Sequence, residues 1–376
     1  MPTLARMDGF TRRRLLEAFG VAGAGAALGR FPLDALAAAR LPHQGGIGTP
    51  AQSRLEFAAL TATAAHRAEL RDLMRTWSAT AAKLRAQHRH SRLTITFGFG
   101  PDLFDAGRYG LAGRRPAALK SLPPFNGDEL DPAKSDGDLA IQVCANDREV
   151  ASRAMGRLLR DGKGAASPHW RLAGFGRASS TSRRQRTPRN LMGFKDGTNN
   201  IKGDDPIPMR DSVWVGPHDQ PAWLRGGSYL VARRIRMRLH DWNATPVHTQ
   251  ERIIGRHRQS GAPLGGKHEH DRVDLNAGVS RGDPVIPTDA HIRLSSPHAN
   301  RGKRLLRRSY NYRESASDAG LLFLAYQRNP SQFIAIQRRL GERDDALGEF
   351  IVHEGSALFA CPPGSRRGGF VGQGLL

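Results

Sequence analysis

Near its carboxyl end the chain reads Leu321-Leu322-Phe323-Leu324-Ala325-Tyr326. An unbroken apolar run of this length is typical of a strand that is buried on both faces. Asn329-Pro330 then supplies an N-cap and a first-turn proline, which predict the start of a helix. One face of that helix is apolar and holds Phe333, Ile336 and Leu340. A last strand is expected over residues 357–360, so this segment predicts a strand–helix–strand unit.

The same order of elements occurs earlier in the chain. After a helix expected over about 66–85, residues 93–99 alternate apolar side chains with Thr and Gly, which predicts a strand with one buried face. Residues 139–144 predict a second strand. A helix is then expected from Asn146, with Glu149 three residues later as a capping box. A further strand is expected over residues 170–175.

The second copy of this order begins at residue 229. Residues 229–237 predict a strand, a long polar loop follows at about 256–284, and strands are expected over 292–294 and 305–312. Strand–helix–strand order over about 90–180 and about 229–362 predicts the α+β class with two sandwiches. The duplication is inferred from the order of elements only.

The chain of 376 residues is strongly basic, with 57 Lys and Arg against 35 Asp and Glu and a net charge of +22. Such a field attracts polyanions, so non-enzymatic polyanion binding is one hypothesis. The basic residues are scattered, however, and we find no zinc-finger, basic-zipper or RNA-recognition pattern. No specific nucleic-acid partner is therefore expected.

The two cysteines, Cys144 and Cys361, lie in neither CxxC nor CxxCH. Zinc ribbons, iron–sulfur sites and covalently attached c-type haem are therefore disfavoured. One disulfide and two free buried thiols are both compatible with the sequence.

The amino terminus resembles an export signal. Residues 11–16 read Thr-Arg-Arg-Arg-Leu-Leu, a weakly apolar run covers 18–28, and small residues at 35–39 are suited to cleavage. The apolar run is shorter than the roughly 20 residues that a membrane-spanning helix needs. We expect a twin-arginine signal over residues 1–39, a linker over 40–60, a periplasmic or other extracytoplasmic location, and no membrane span in the mature form.

Three segments hold residue types suited to catalysis. Residues 193–200 read Gly-Phe-Lys-Asp-Gly-Thr-Asn-Asn, where two glycines flank Asp196 and let the backbone approach a flat ligand. His291, at an expected strand edge, is suited to iron ligation. Arg307 is suited to stabilising an anion, although Arg308 is adjacent and strand register decides which of the two faces a pocket. Taken singly, each segment has a simpler structural explanation.

Their joint order and spacing are more specific. His291 lies 95 residues after Asp196, and Arg307 lies 16 residues after His291. This arrangement resembles the dye-decolorising peroxidase family, and the resemblance covers nearly the whole mature chain. Further similar segments are residues 98–105, 128–132, 226–231 and 320–327. The leader is similar to that of the exported, iron-transport-linked subgroup of deferrochelatases and peroxidases.

The resemblance implies two ferredoxin-like halves, each an antiparallel sheet with peripheral helices, in a fold of the dimeric α/β-barrel type. The amino-terminal half would span residues 61–205. The carboxyl-terminal half would span residues 206–376 and bind haem b.

The resemblance also implies roles for individual residues. His291 matches the proximal iron ligand, and both Asp345 and Glu349 are candidates for the acceptor of its other ring nitrogen. Asp196 matches the distal acid and Arg307 the distal arginine. Haem contacts are implied for Gly197, Thr198, Asn199, Ser296, Pro297, His298 and Arg307. Some relatives have arginine where His298 stands.

The implied activity is oxidation of dyes, phenolic compounds or other bulky donors with hydrogen peroxide, by a homo-oligomeric enzyme. Release of iron from haem, as by a deferrochelatase, is the alternative function. Bulky donors would deliver electrons through aromatic residues at the surface. The candidates for this electron relay are Trp214, Trp223, Trp242, Tyr310 and Tyr312, and the alternative for each is packing in the core.

Overall fold

Strands dominate the structure, a computed structural model that describes residues 42–105 and 107–376. Within these residues, nine strands form one sheet, and neighbouring strands pair antiparallel. The strands are β1 (Arg54–Ala62), β2 (Thr94–Phe99), β3 (Leu139–Ala145), β4 (Ala166–Arg177), β5 (Ser228–Met237), β6 (Leu306–Arg307), β7 (Tyr310–Arg313), β8 (Ala319–Gln327) and β9 (Ile351–Cys361). The export signal expected over residues 1–39 lies outside the described residues.

The two halves of the sheet have the same strand order. The first half runs β2-β3-β1-β4, and the second runs β7-β8-β5-β9, with β6 also paired to β8. Each order is that of a β-α-β-β-α-β unit, the ferredoxin-like arrangement. Pairings of β2 with β9 and of β4 with β7 join the halves, so eight strands form a closed ring. The α+β prediction of two ferredoxin-like halves is confirmed.

β1 lies at the centre of its half, where the sequence predicted a linker. The linker expected over residues 40–60 therefore ends earlier than predicted, at residue 53. β1 is hard to find by alternation because both of its faces are buried. Leu55 and Phe57 pack inside the ring, whereas Ala58 and Leu60 pack against the helices outside it.

Helices pack against both sides of the sheet, most of them against its outer face. They are α1 (Arg67–Gln87), α2 (Arg148–Asp161), α3 (Pro206–Ser212), α4 (Leu239–Ala244), α5 (Val247–Ile254), α6 (His291–Leu294) and α7 (Ser331–Glu342). α1 confirms the helix expected over about 66–85. α2 is capped by Asp147 rather than by Asn146, because the Asp147 carboxylate accepts the backbone N–H groups of Glu149 and Val150. Among the described residues, no helix combines the length and the apolar character that crossing a membrane requires.

Two strand predictions near the expected site are wrong. Residues 291–294 form the single helical turn α6, which the hydroxyls of Ser295 and Ser296 stabilise by donating to the carbonyls of His291 and Arg293. The strand expected over 305–312 is interrupted between β6 and β7. There the Ser309 hydroxyl takes the place of a backbone acceptor for the N–H of Leu324.

Apolar side chains form two large clusters on opposite faces of the sheet. One fills the inside of the ring with residues from both halves, and the other packs α1 and α2 against β1, β2 and β3. Cys144 and Cys361 are buried and free, so the disulfide alternative is excluded. Four of the five electron-relay candidates are likewise buried, and only Trp214 among the five is partly exposed.

Candidate active site

A cavity of about 1000 Å³ lies against the outer face of the second half of the sheet. The alternation of β8 produces its wall: Leu322 and Leu324 pack inside the ring, whereas Leu321 and Phe323 line the cavity. The apolar lining from the other strands comprises Ile235, Met237 and Ile351. His291, Asp196 and Arg307 all line this one cavity, so the structure brings the three predicted residues together.

His291 enters the cavity from the first position of α6. Its Nδ1 lies 2.7 Å from Oδ2 of Asp345, whose side chain is only 7% exposed. The other oxygen of Asp345 accepts the backbone N–H of Leu347 at 3.2 Å and so caps a short 3₁₀-helix, Ala346–Phe350. Of the two acceptors that the sequence left open, Asp345 rather than Glu349 is therefore the partner of His291.

The environment of His291 fixes the state of its ring. Burial acts to lower the pKa of His291, but the charge of Asp345 and its hydrogen bond outweigh burial, so the pKa is raised. With Nδ1–H directed at the carboxylate, Nε2 is the nitrogen left for a ligand in the cavity. A carboxylate behind an imidazole also raises its basicity, which strengthens it as a metal ligand.

Asp196 and Arg307 form a close ion pair on the cavity wall. Arg307 Nη1 donates to Asp196 Oδ1 at 2.6 Å, and both side chains are mostly buried. The side-chain amide of Asn190 donates to Asp196 Oδ2 at 3.3 Å. Asn190 was missed in the sequence because nothing in its local pattern distinguishes it from a loop residue.

Strand register separates Arg307 from Arg308. Arg307 faces the cavity, whereas the fully buried Arg308 points the other way and donates to the carbonyl of Thr49 and to the side chain of Gln52, each at 2.5 Å. Asn200 holds this register: its Oδ1 accepts the N–H of Arg307 at 2.8 Å, and its amide donates to the carbonyl of Arg307 at 2.7 Å. Arg307 is therefore the arginine of the site.

Gly197 allows the turn that carries Asp196 to lie close to the backbone of Ser179 and Ser180. Its φ is +92°, in the left-handed region that glycine tolerates best. A Cβ at this position would lie 3.1 Å from Cα of Ser179 and 3.2 Å from the backbone N of Ser180. Any larger residue would therefore displace Asp196 from its position.

The remaining predicted contact residues also line the cavity: Thr198, Asn199, Ser296, Pro297 and His298. Two of their hydroxyls are engaged with protein, since Thr198 donates to Glu269 at 3.1 Å and Ser296 donates to the carbonyl of Arg293. Their position is thus as predicted, while their contact with a cofactor is still a prediction.

A long loop that no sequence pattern predicts at the site forms another wall of the cavity. Glu269 accepts a hydrogen bond from Lys195 at 2.5 Å as well as the one from Thr198, and these two residues flank Asp196 and Gly197. The buried Arg256 donates to the carbonyls of Gly261 and Glu269, which fixes the fold of this loop. The polar composition of residues 256–284 predicts a loop there, but it does not indicate that this loop folds against the cavity.

Family models match both halves of the chain. A model described as Dyp-type peroxidase, N-terminal, matches residues 44–176, and one described as Dyp-type peroxidase, C-terminal, matches residues 187–366. The chain belongs to the Dyp-type peroxidase family.

Similar Dyp-type sequences carry two different names. A Dye-decolorizing peroxidase of Thermobifida fusca is 42% identical over 325 residues, which cover 81% of this chain and 75% of that protein. A Deferrochelatase of Shigella flexneri is 34% identical over 370 residues, which cover 89% of this chain and 86% of that protein. A Deferrochelatase of Yersinia pseudotuberculosis is 39% identical over 295 residues, covering 76% and 67%.

Solved Dyp-type structures have the same fold. Ferric DtpA from Streptomyces lividans matches with a TM-score of 0.81 and 40% identity, covering 89% of this chain and 95% of that one. A DyP-type peroxidase from Cellulomonas bogoriensis matches with a TM-score of 0.81 and 40% identity, covering 89% and 96%. This Dyp-type chain is a haem peroxidase, and the hypothesis of a non-enzymatic polyanion-binding protein is set aside.

The cavity suits the haem of a Dyp-type peroxidase. A largely apolar wall of about five side chains faces the imidazole of His291, which is backed by the carboxylate of Asp345, the arrangement of a proximal iron ligand. The cavity volume of about 1000 Å³ lies at the upper end of the range for cofactor sites. Gly197, without a side chain, lets the backbone beside Asp196 approach a flat ring.

Proposed function

We propose that this Dyp-type peroxidase oxidises dyes, phenolic compounds or other bulky donors with hydrogen peroxide, with Asp196 and Arg307 as its catalytic pair and His291 as its iron ligand. The observation that carries the proposal is the 2.6 Å contact between Asp196 and Arg307 in the cavity that His291 also lines. An acid and a fixed cation are thereby available together where peroxide would bind.

Asp196 and Arg307 have different roles in the proposed reaction. Haem, when bound, would supply the redox chemistry by which two electrons from donor molecules reduce hydrogen peroxide to water. Asp196 takes a proton from one oxygen of hydrogen peroxide and donates it to the other oxygen, which leaves as water. Among the described residues, its Oδ2 accepts only the 3.3 Å hydrogen bond from Asn190, so Oδ2 is the oxygen suited to carry that proton. The guanidinium of Arg307 stabilises the negative charge that develops as the O–O bond breaks.

Replacement of the acid tests this division. Asp196→Asn keeps the size of the side chain but cannot carry the proton, so kcat/KM for hydrogen peroxide should fall by about 10²–10⁴-fold. Stopped-flow mixing with peroxide measures the effect. The matched control is Asp211→Asn, which removes an exposed carboxylate paired with Arg210 at 2.7 Å. Equal rates in Asp196→Asn and the wild type would exclude Asp196 as the proton carrier.

Replacement of the proximal residue tests the ligand assignment. In His291→Ala the Nε2 ligand is missing, so the Soret band of purified protein should shift in wavelength at equal haem loading. A Soret band identical to that of the wild type would contradict the assignment of His291.

A second candidate function is release of iron from haem, which the name of the Shigella and Yersinia relatives supports. Both functions use the same cavity and the same three residues. Incubation of the purified protein with haem distinguishes them, since iron release yields metal-free porphyrin with its own fluorescence, whereas peroxidase activity alone yields none.

We further propose that the chain is exported by the twin-arginine route and acts outside the cytoplasm as a homo-oligomer. The support is the sequence of residues 11–39, with Arg12 and Arg13 at its start. An Arg12→Lys, Arg13→Lys double variant should stay in the cytoplasmic fraction, and light scattering of the exported protein should give more than one chain per particle.

A further inference from the structure

Lys202 lies behind the turn that carries Asp196 and is partly buried. Its Nζ donates to three oxygens: the hydroxyl of Ser180 at 2.6 Å, the carbonyl of Ser180 at 3.1 Å and the carbonyl of Gly197 at 3.3 Å. Gly197 follows Asp196 directly in the chain. The ammonium group therefore ties the Asp196 turn to the segment around Ser180.

The same segment also holds Arg307. The Ser180 carbonyl accepts a second hydrogen bond, at 3.0 Å, from the side-chain amide of Asn200, and that amide also donates to the carbonyl of Arg307 at 2.7 Å. Ser180 has no exposed surface, so it provides a fixed point in the interior. Through Lys202 and Asn200, one carbonyl group thus anchors both members of the distal pair.

We propose that Lys202 is a positioning residue of the peroxidase reaction, which as a cation holds the Asp196 turn in register with Arg307. The inference rests on the roles proposed for Asp196 and Arg307. An ammonium group has three hydrogens, one for each of its three acceptors here, whereas a neutral amine has two. Loss of the proton removes the charge that strengthens these contacts. Even where the Ser180 hydroxyl then donates to the amine, the two carbonyls are held only by neutral hydrogen bonds, and the longest, to Gly197, is the one expected to weaken most.

The surroundings of Lys202 lower its pKa, so that its ammonium group loses its proton in an experimentally accessible pH range. Burial, followed by the positive charge of Arg307, lowers the pKa of Lys202 to about 8. Arg304 lowers it further, while Asp204 and Glu269 act in the opposite direction. The Asp196 turn should thus be held firmly below pH 8 and loosen as the pH rises above it.

Activity and stability should then respond to pH in opposite directions. The lysine has a lower pKa in the folded chain than in the unfolded chain, so the unfolded chain binds more protons between pH 8 and about 10.5. The contribution of Lys202 to stability is therefore lost as the pH falls through 8 and rises as the pH increases. A merely structural lysine would make activity follow stability, whereas a positioning cation makes activity fall while stability rises.

The experiment compares Lys202→Met and Lys202→Arg with the wild-type haem enzyme from pH 6 to 10. We expect kcat/KM for hydrogen peroxide to fall above pH 8 in the wild type. In Lys202→Met, kcat/KM should be about 10-fold lower at pH 7 and should not fall further above pH 8. Lys202→Arg, whose guanidinium stays charged, should retain activity and keep it through pH 9. The Lys163→Met variant, which changes an exposed lysine that does not line the cavity, should retain the wild-type profile.

A second readout does not depend on activity. The melting temperature of the wild type relative to Lys202→Met should rise between pH 8 and 10, and the ferric absorption spectrum should show a transition near pH 8 in the wild type only. An unchanged alkaline limb in Lys202→Met or, where that variant does not fold, in Lys202→Arg would overturn the proposal. Failure of the proposed function looks different, since Asp196→Asn would then react as fast as the wild type.

Discussion

The two halves of this peroxidase have the same strand order, but different structures cover the outer face of the sheet in each half. In the first half the 21 residues of α1 lie along the sheet, and Trp77 stacks on Phe97 with ring centroids 5.6 Å apart. In the second half the corresponding connection, residues 238–305, contains helices of only six, eight and four residues. The cavity of about 1000 Å³ lies in this second half.

The difference shows how one fold yields both a core and a site. A long amphipathic helix presents a continuous apolar stripe that seals a sheet face. Short helices leave part of that face open, and their ends and connecting loops bring polar groups to it. His291 begins such a short helix, and Glu269 lies in such a loop. The connection thus brings His291 to the cavity, while the sheet supplies its apolar wall and, on β6, Arg307.

Truncation of one phenylalanine on each outer face tests this contrast. Phe97→Ala should lower the free energy of unfolding by about 3–5 kcal/mol because it leaves a cavity in a packed core. Phe323→Ala should cost roughly half as much in haem-free protein, because Phe323 already borders a cavity. Denaturant unfolding measures both.

Haem provides the control for this pair. In haem-loaded protein the cost of Phe323→Ala should approach that of Phe97→Ala, since the cofactor then packs against the phenylalanine ring. Equal costs in haem-free protein would show that the second half is as well packed as the first.

The fold could be predicted where apolar pattern and packing agree. The apolar run of β8 and the stripe of α1 were identified because burial alone shapes their sequences. β1 escapes prediction because Leu55 and Phe57 alternate with charged residues for only four positions, after which Ala58, Ala59 and Leu60 are buried on both faces. The sequence predicts a strand at the turn α6 because Ile292 and Leu294 suit either structure, and the serine contacts that decide between them involve the backbone.

The site could be predicted only as a set of residue types at a given spacing. His291, Asp196 and Arg307 were identified through their order along the chain, and all three line one cavity. The choice of Asp345 over Glu349 depends on the path of a 3₁₀-helix, which no local pattern specifies. Lys202 and Asn190 act through contacts that only the folded chain creates.

The carboxylate behind His291 should contribute to haem binding in the second half. Asp345→Asn keeps an oxygen that can cap the 3₁₀-helix but removes the charge, so iron affinity or activity should fall by about 10–100-fold. Haem titration followed at the Soret band measures the affinity. Glu349→Gln is the matched control, since the partner of His291 is Asp345, and it should bind haem as the wild type does. Equal loss in both variants would assign the effect to the general charge of the cavity.

The smallest effect is expected at the capping aspartate of the first half. Asp147 Oδ1 accepts the N–H groups of Glu149 at 2.7 Å and Val150 at 3.1 Å, and it lies at the surface away from the cavity. Asp147→Ala should therefore lower the free energy of unfolding by about 1 kcal/mol and leave haem affinity unchanged, whereas Asp147→Asn, which keeps a cap, should be nearly neutral. Asp147 and Asp345 both cap a helix, but of these two only Asp345 also contacts His291, so a fall in haem affinity on loss of the Asp147 cap would mean that the site depends on both halves.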